Sequence, residues 1–106
     1  MENEKAFRYL GLAAKAGRVA SGEFQTENAV RKGRAKVVLI AADASENTKK
    51  KFQNMCSFYK IPVFIKTDKV TLGHRIGREM RTSAAITDEN LAAAFIKTMR
   101  EEVSDN

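Results

Sequence analysis

Among its 106 residues the chain has one cysteine, one histidine, one proline and no tryptophan. A lone Cys56 excludes an internal disulfide framework and fits a reducing cytoplasm. A lone His74, with no cysteine pair, leaves no ligand set for zinc. There is no Gly-Lys-Ser/Thr phosphate loop, and Gly73 and Gly77 do not make a dinucleotide fingerprint. No serine or cysteine nucleophile is placed beside His74, and no carboxylate pair stands out. Nothing here gives a positive sign of an enzyme, and no cofactor is implied. No apolar run is long enough for a transmembrane helix, so no membrane partner is expected. The opening MENEKAFRYL places acids before any apolar segment, unlike a secretory signal.

What is present suits one domain over residues 1–106. Hydrophobic residues make up 43%, enough for a single modest core. The formal net charge is +6, and its distribution is uneven. Residues 1–36 carry +4, residues 37–65 carry +2, residues 66–87 carry +3, and residues 88–106 carry −3. Basic character spread over the first three segments favours a polyanion partner, with affinity that falls as salt rises.

Periodicity and stop residues predict five helices and four strands. Residues 1–15 read as a helix capped by Asn3, with Ala6, Phe7, Leu10, Ala13 and Ala14 on one face. Gly17 ends it, and Val19-Ala20 is a short strand. The turn Ser21-Gly22 leads into a second helix over residues 23–32, with Ala29 and Val30 inward and Gly33 as its stop. Residues 37–42, VVLIAA, are apolar without alternation, which predicts a central strand covered on both faces. Asp43 or Ser45 caps a third helix over residues 46–59, with Phe52, Met55, Cys56 and Tyr59 as its buried stripe. Pro62 precedes a strand at residues 63–65. Thr67 or Asp68 caps a fourth helix over residues 69–76, with Val70, Leu72 and Ile76 inward. Gly77 ends it, residues 78–82 form a loop, and residues 83–87 are the last strand. Asp88 caps a final helix with Leu91, Ala94, Phe95 and Met99 on its apolar face, and residues 104–106 fray. The order predicts an α/β fold, a three-layer α-β-α sandwich with a small four-stranded mixed sheet.

Two cation clusters have plain explanations. Arg31, Lys32, Arg34 and Lys36 follow the end of the second helix, where positive charge suits the helix dipole. Lys49, Lys50 and Lys51 are consecutive, so they fan around the third helix.

Two segments carry a resemblance. One is Gly22, six residues, then Ala29-Val30-Arg31-Lys32-Gly33, Ala35-Lys36 and the buried strand. The other is Leu72-Gly73-His74-Arg75-Ile76-Gly77, a short loop and Ala84-Ala85-Ile86. In this order they resemble the kink-turn RNA-binding ribosomal protein family, in its bacterial YlxQ-like branch, over most of the chain. The resemblance implies a non-enzymatic RNA-binding protein of the ribosomal type, bound to structured, kink-turn-like RNA and associated with the ribosome. It also implies that residues 22–28 and the loop 78–82 meet at one end of the sheet. Family members bring the first segment to the widened major groove of a kinked RNA, and the loop packs over an extruded base. The candidate RNA-binding residues are then Gly22, Glu23, Phe24, Gln25, Asn28 and Arg31 from the first segment. Ile76, Arg78, Glu79, Met80 and Arg81 come from the second.

The first segment departs from the family pattern of Gly, Thr or Ser, Asn, Glu, two variable residues and Lys. Phe24 stands at the Asn position, Gln25 at the Glu position and Asn28 at the Lys position. Gln25 keeps an acceptor and adds a donor, whereas Asn28 loses the cation. Glu23 and Glu27 bring negative charge towards phosphate, which is unfavourable. Phe24 either stacks on a base, a contact worth ~1–3 kcal/mol, or packs against the first helix. Two other readings share the fold. One is a protein-interaction module for ribosome or translation-factor assembly, with Phe24 and Met80 as anchors and ribosomal or translation proteins as partners. The other is a substrate-recognition domain resembling the N-terminal piece of some RNA-modifying enzymes, with catalysis supplied in trans.

Overall fold

The apolar run that begins at Val37 organises the sheet. Val37, Val38, Leu39 and Ile40 are each at most 2% exposed, because strands flank them on both sides and helices cover both faces. The computed structural model describes residues 4–104. Its elements are α1 Glu4–Lys15, β1 Val19–Ser21, α2 Glu23–Arg31, β2 Val37–Ile40 and α3 Glu46–Tyr59, followed by β3 Val63–Ile65, α4 Lys69–Arg75, β4 Ser83–Ile86 and α5 Glu89–Ser104. The strand order is β1-β4-β2-β3. β2 runs parallel to β3, with Val38 opposite Val63, and antiparallel to β4, with Leu39 opposite Ala84. β1 pairs antiparallel with β4, with Ala20 opposite Ala85, so the sheet is mixed and β1 is an edge.

Strand alternation divides the core in two. Val37, Leu39, Ala84 and Ile86 point to one face, where they meet Phe7 and Leu10 of α1, Leu72 of α4, and Phe95 and Met99 of α5. Val38, Ile40 and Ala85 point to the other, against Val30 of α2 and Phe52 and Cys56 of α3. Burying a side chain such as Leu10 or Phe95 is worth about 1.5–3 kcal/mol. The result is the expected three-layer α-β-α arrangement.

Several local expectations change. β2 stops at Ile40, two residues early, since the amides of Ala41 and Ala42 turn to the loop carbonyls of Thr82 and Thr67. β4 stops at Ile86, and Thr87 donates instead to the Arg18 carbonyl. Ser45, not Asp43, caps α3 by accepting from the Thr48 amide at 3.1 Å. Asp43 accepts from the Lys69 amide at 2.8 Å, which ties this turn to the start of α4. Asp68 caps α4 through the Thr71 amide at 2.7 Å, while Thr67 takes the left-handed conformation at φ 62°. Asp88 accepts from the Leu91 amide at 2.8 Å, as expected of the α5 cap. Val70 is 64% exposed rather than inward, because it lies more than half a turn from the Leu72–Ile76 stripe. Tyr59 is also exposed; it falls in the last turn of α3 and meets exposed Phe58 edge-on at 5.0 Å. Of the tail expected to fray, residues 104–106, Ser104 still belongs to α5, while residues 105–106 and the expected cap Asn3 lie outside the described residues.

Candidate nucleic-acid interface

The α2 start is built on backbone. Gly22 sits at φ 88° and ψ 157°, a region open essentially to glycine alone. Its amide donates to the Ser83 carbonyl at 2.9 Å, which ties the turn to β4. The Thr26 amide closes the first helical turn on the Gly22 carbonyl, and no side chain caps the helix. The amides of Glu23, Phe24 and Gln25 therefore precede the first intrahelical bond, at the positive end of the helix. Such an end attracts anions. Beneath it, the buried Ser83 hydroxyl donates to the buried Thr26 Oγ1 at 3.3 Å and joins α2 to β4. Sequence reasoning passed over Thr26, although its spacing from Ala29 and Val30 puts it on their inward face.

The second segment lies over α4. A Cβ added at Gly73 would come within 1.5 Å of the Glu79 carbonyl oxygen and 2.9 Å of the Met80 Cα. The loop thus rests directly on the helix backbone. The Arg78 amide returns to the Gly73 carbonyl and the Arg81 amide to that of Lys69. Arg81 then links the segments: its Nε donates to Ser21 Oγ at 3.3 Å and its Nη1 to the Met80 carbonyl at 2.9 Å.

These bonds join Ser21 and Gly22 to Arg81 and Ser83, and Gln25 lines one groove with Arg78 and Arg81. Phe24 is 76% and Met80 58% exposed, so Phe24 does not pack against α1. Asn28 is half-buried, one turn along α2. Two candidates stand apart. Ile76 is only 8% exposed and packs into the core beneath the loop. Arg31 lies at the far end of α2, about 12 Å from its start, and its Nη2 pairs with Glu27 Oε2 at 2.8 Å.

The acids of α2 are neutralised from the neighbouring helix. Lys51 of α3 reaches across to α2, where its Nζ lies 2.9 Å from Glu23 Oε2 and 2.6 Å from Glu27 Oε1. Hydrogen bonds from Lys51 and then Arg31 hold the Glu27 carboxyl below the usual carboxylate range. Bonds to Glu27 and Glu23 raise Lys51 in turn. The negative charge expected to oppose phosphate is thus already paired. Beside this end an open groove follows the edge of β1, lined in part by Ser21, Gln25, Arg34, Arg78 and Arg81. Arg34 was legible only as one of the cations after α2.

Elsewhere the chemistry is quiet. Burial pushes the Cys56 thiol up to about 11. Among the described residues no three His, Cys, Asp or Glu side chains are grouped to hold a metal, and no helix is long and apolar enough to cross a membrane.

The family model of the Ribosomal protein L7Ae/L30e/S12e/Gadd45 family matches residues 4–96. The RNA-binding protein YlxQ of Bacillus subtilis (strain 168) is 39% identical over 99 residues, covering 93% of this chain and 99% of that protein. The RNA-binding protein YlxQ of Enterococcus faecium is 38% identical over 89 residues, covering 84% and 85%. Among solved structures, a Bacillus halodurans protein of unknown function superposes with a TM-score of 0.87 at 32% identity, covering 91% of this chain and 97% of that one. A Giardia lamblia 15.5kD RNA binding protein superposes with a TM-score of 0.79 over 92% and 87%. At 19% identity, that likeness speaks to the fold alone. Matched along almost its whole described length, the chain belongs to the Ribosomal protein L7Ae/L30e/S12e/Gadd45 family, beside the bacterial YlxQ proteins.

Proposed function

We propose that this chain is a non-enzymatic RNA-binding protein acting in the cytoplasm as one domain. It takes a structured, kink-turn-type RNA, of the ribosome or another source, at the end of the sheet where α2 begins. The observation that carries this reading is the joining of two segments there, through Gly22 to Ser83 and Arg81 to Ser21. The RNA-binding relatives support the class of ligand.

Each group has a role in this reading. The free amides at the α2 start receive a phosphate, and Gly22 allows close approach because no Cβ intervenes. The Gln25 side chain both donates to and accepts from base edges. Phe24 stacks on an unstacked base, and Met80 supplies an adaptable apolar contact from the loop. Arg78 supplies charge. A kinked RNA suits such a surface, since the major groove of regular A-form RNA is too narrow for side chains.

Arg78→Ala is the cleaner charge test, because Arg81 also holds the loop to β1. Binding to a kink-turn RNA should weaken, and the slope of log affinity against log salt should flatten by about 1. Phe24→Ala should cost ~1–3 kcal/mol of binding. Wild-type affinity in both variants would remove this end of the sheet as the contact surface. The exposure of Phe24 and Met80 favours a second reading, a module that docks ribosomal or translation proteins. That reading expects a partner protein to remain bound after nuclease treatment.

A further inference from the structure

Arg31, Lys49, Lys51 and Arg75 are each held by a glutamate. Among the described residues, Arg34, Arg78 and Arg81 have no carboxylate partner, as is true of most of the other cations; what sets the three apart is their shared position. These same three line one groove, and no acid lines it with them. Cations spread along one groove without acids give it positive potential, which favours an anion. The groove follows the edge of β1, which among the described residues pairs with β4 alone.

The groove has two ends. Gln25, Arg78 and Arg81 stand at the end already proposed for RNA. Arg34 stands past the other end of α2, about 13 Å away by helix rise. Its backbone is fixed, because its amide closes α2 on the Ala29 carbonyl at 2.9 Å. Its exposed guanidinium offers the planar fork of donors that matches phosphate.

We infer that the RNA strand leaving the kinked site lays its phosphate backbone along the β1 groove and that Arg34 contacts a phosphate there. This inference rests on the RNA-binding reading and adds a second stretch of contact to it. Such a contact fixes the direction of the strand and carries no base preference.

The test uses two kink-turn RNAs, one trimmed close to the kink and one with an extended flanking stem, each titrated at several salt concentrations. Arg34→Ala should bind the extended RNA about fivefold more weakly near physiological salt, with a salt slope flatter by about 1. It should bind the trimmed RNA as the wild type does. Arg34→Lys should recover most of the lost slope, and Lys97→Ala on α5 should behave as wild type on both. Unfolding curves for the Arg34 variants should match the wild type, since the side chain is exposed. If the wild type binds both RNAs and Arg34→Ala loses nothing, or loses equally on both, the groove inference is wrong while the RNA reading stands. If the wild type binds neither RNA, the RNA reading falls and takes the inference with it.

Discussion

Three residues show how single positions hold the interface. Gly22 lies at φ 88° and ψ 157°, and nothing stands within 4 Å of where a Cβ would go. Gly22→Ala should therefore cost about 1–3 kcal/mol through the backbone alone, read as a lower urea midpoint with an unchanged m value. Gly73→Ala acts by collision, because its Cβ would displace the backbone of Glu79 and Met80. It should lower stability and weaken RNA binding together, and wild-type behaviour in both assays would contradict the loop placement. Cys56 is inert by burial. Its pKa is raised from 9.0 to about 11, so the unfolded thiol ionises first as pH rises. Its contribution to stability is whole below pH 9.0 and is lost as pH climbs towards about 11. In the folded protein at pH 8 the thiol should resist iodoacetamide until denaturant is added. Cys56 was legible in the sequence from its apolar stripe. The reason for Gly73 was not, because the contacting backbone belongs to a loop that follows the helix.

At the scale of elements, helix ends and helix pairs set the frame. α1, α2 and α4 each close through a glycine, but α3 closes through Lys60 at φ 60°, where the Ile61 amide returns to the Cys56 carbonyl at 2.8 Å. Lys60→Gly removes the steric cost of that conformation and should stabilise the protein by roughly 0.5 kcal/mol, seen as a higher Tm. α1 is clasped to α4 by Arg75, whose two Nη atoms each lie 2.7 Å from a Glu4 carboxylate oxygen. That bond holds the Glu4 carboxyl below 4.5, so its stabilising effect is present above pH 4.5 and fades as pH falls through the folded value. Glu4→Gln should lower Tm at neutral pH and narrow the gap to wild type in acid. Element types were readable from hydrophobic period and glycine stops, and β2 was readable from its unbroken apolar run. The ends of β2 and β4 were not, because loops that are distant in sequence take up the next amides. Tyr59 and Val70 were misplaced for a related reason: an apolar residue at a helix end is buried only if a neighbour extends over it.

Over the whole molecule, the sheet gathers two segments more than fifty residues apart in sequence (Ser21 and Arg81) into one surface. The family pattern foretold that meeting. The pairing of Glu23 and Glu27 with Lys51 was not legible, since Lys51 sits among three consecutive lysines on another helix. The convergence of Arg34 with Arg78 and Arg81 is likewise a product of the fold rather than of any local motif. Recognition of a kinked RNA is decided by the affinity of the wild-type chain for a kink-turn RNA against that for a straight duplex of equal length, at two salt concentrations. Binding should be tighter to the kinked RNA at both, with both affinities falling as salt rises. Equal affinity for the two RNAs, or binding to neither, would contradict such recognition.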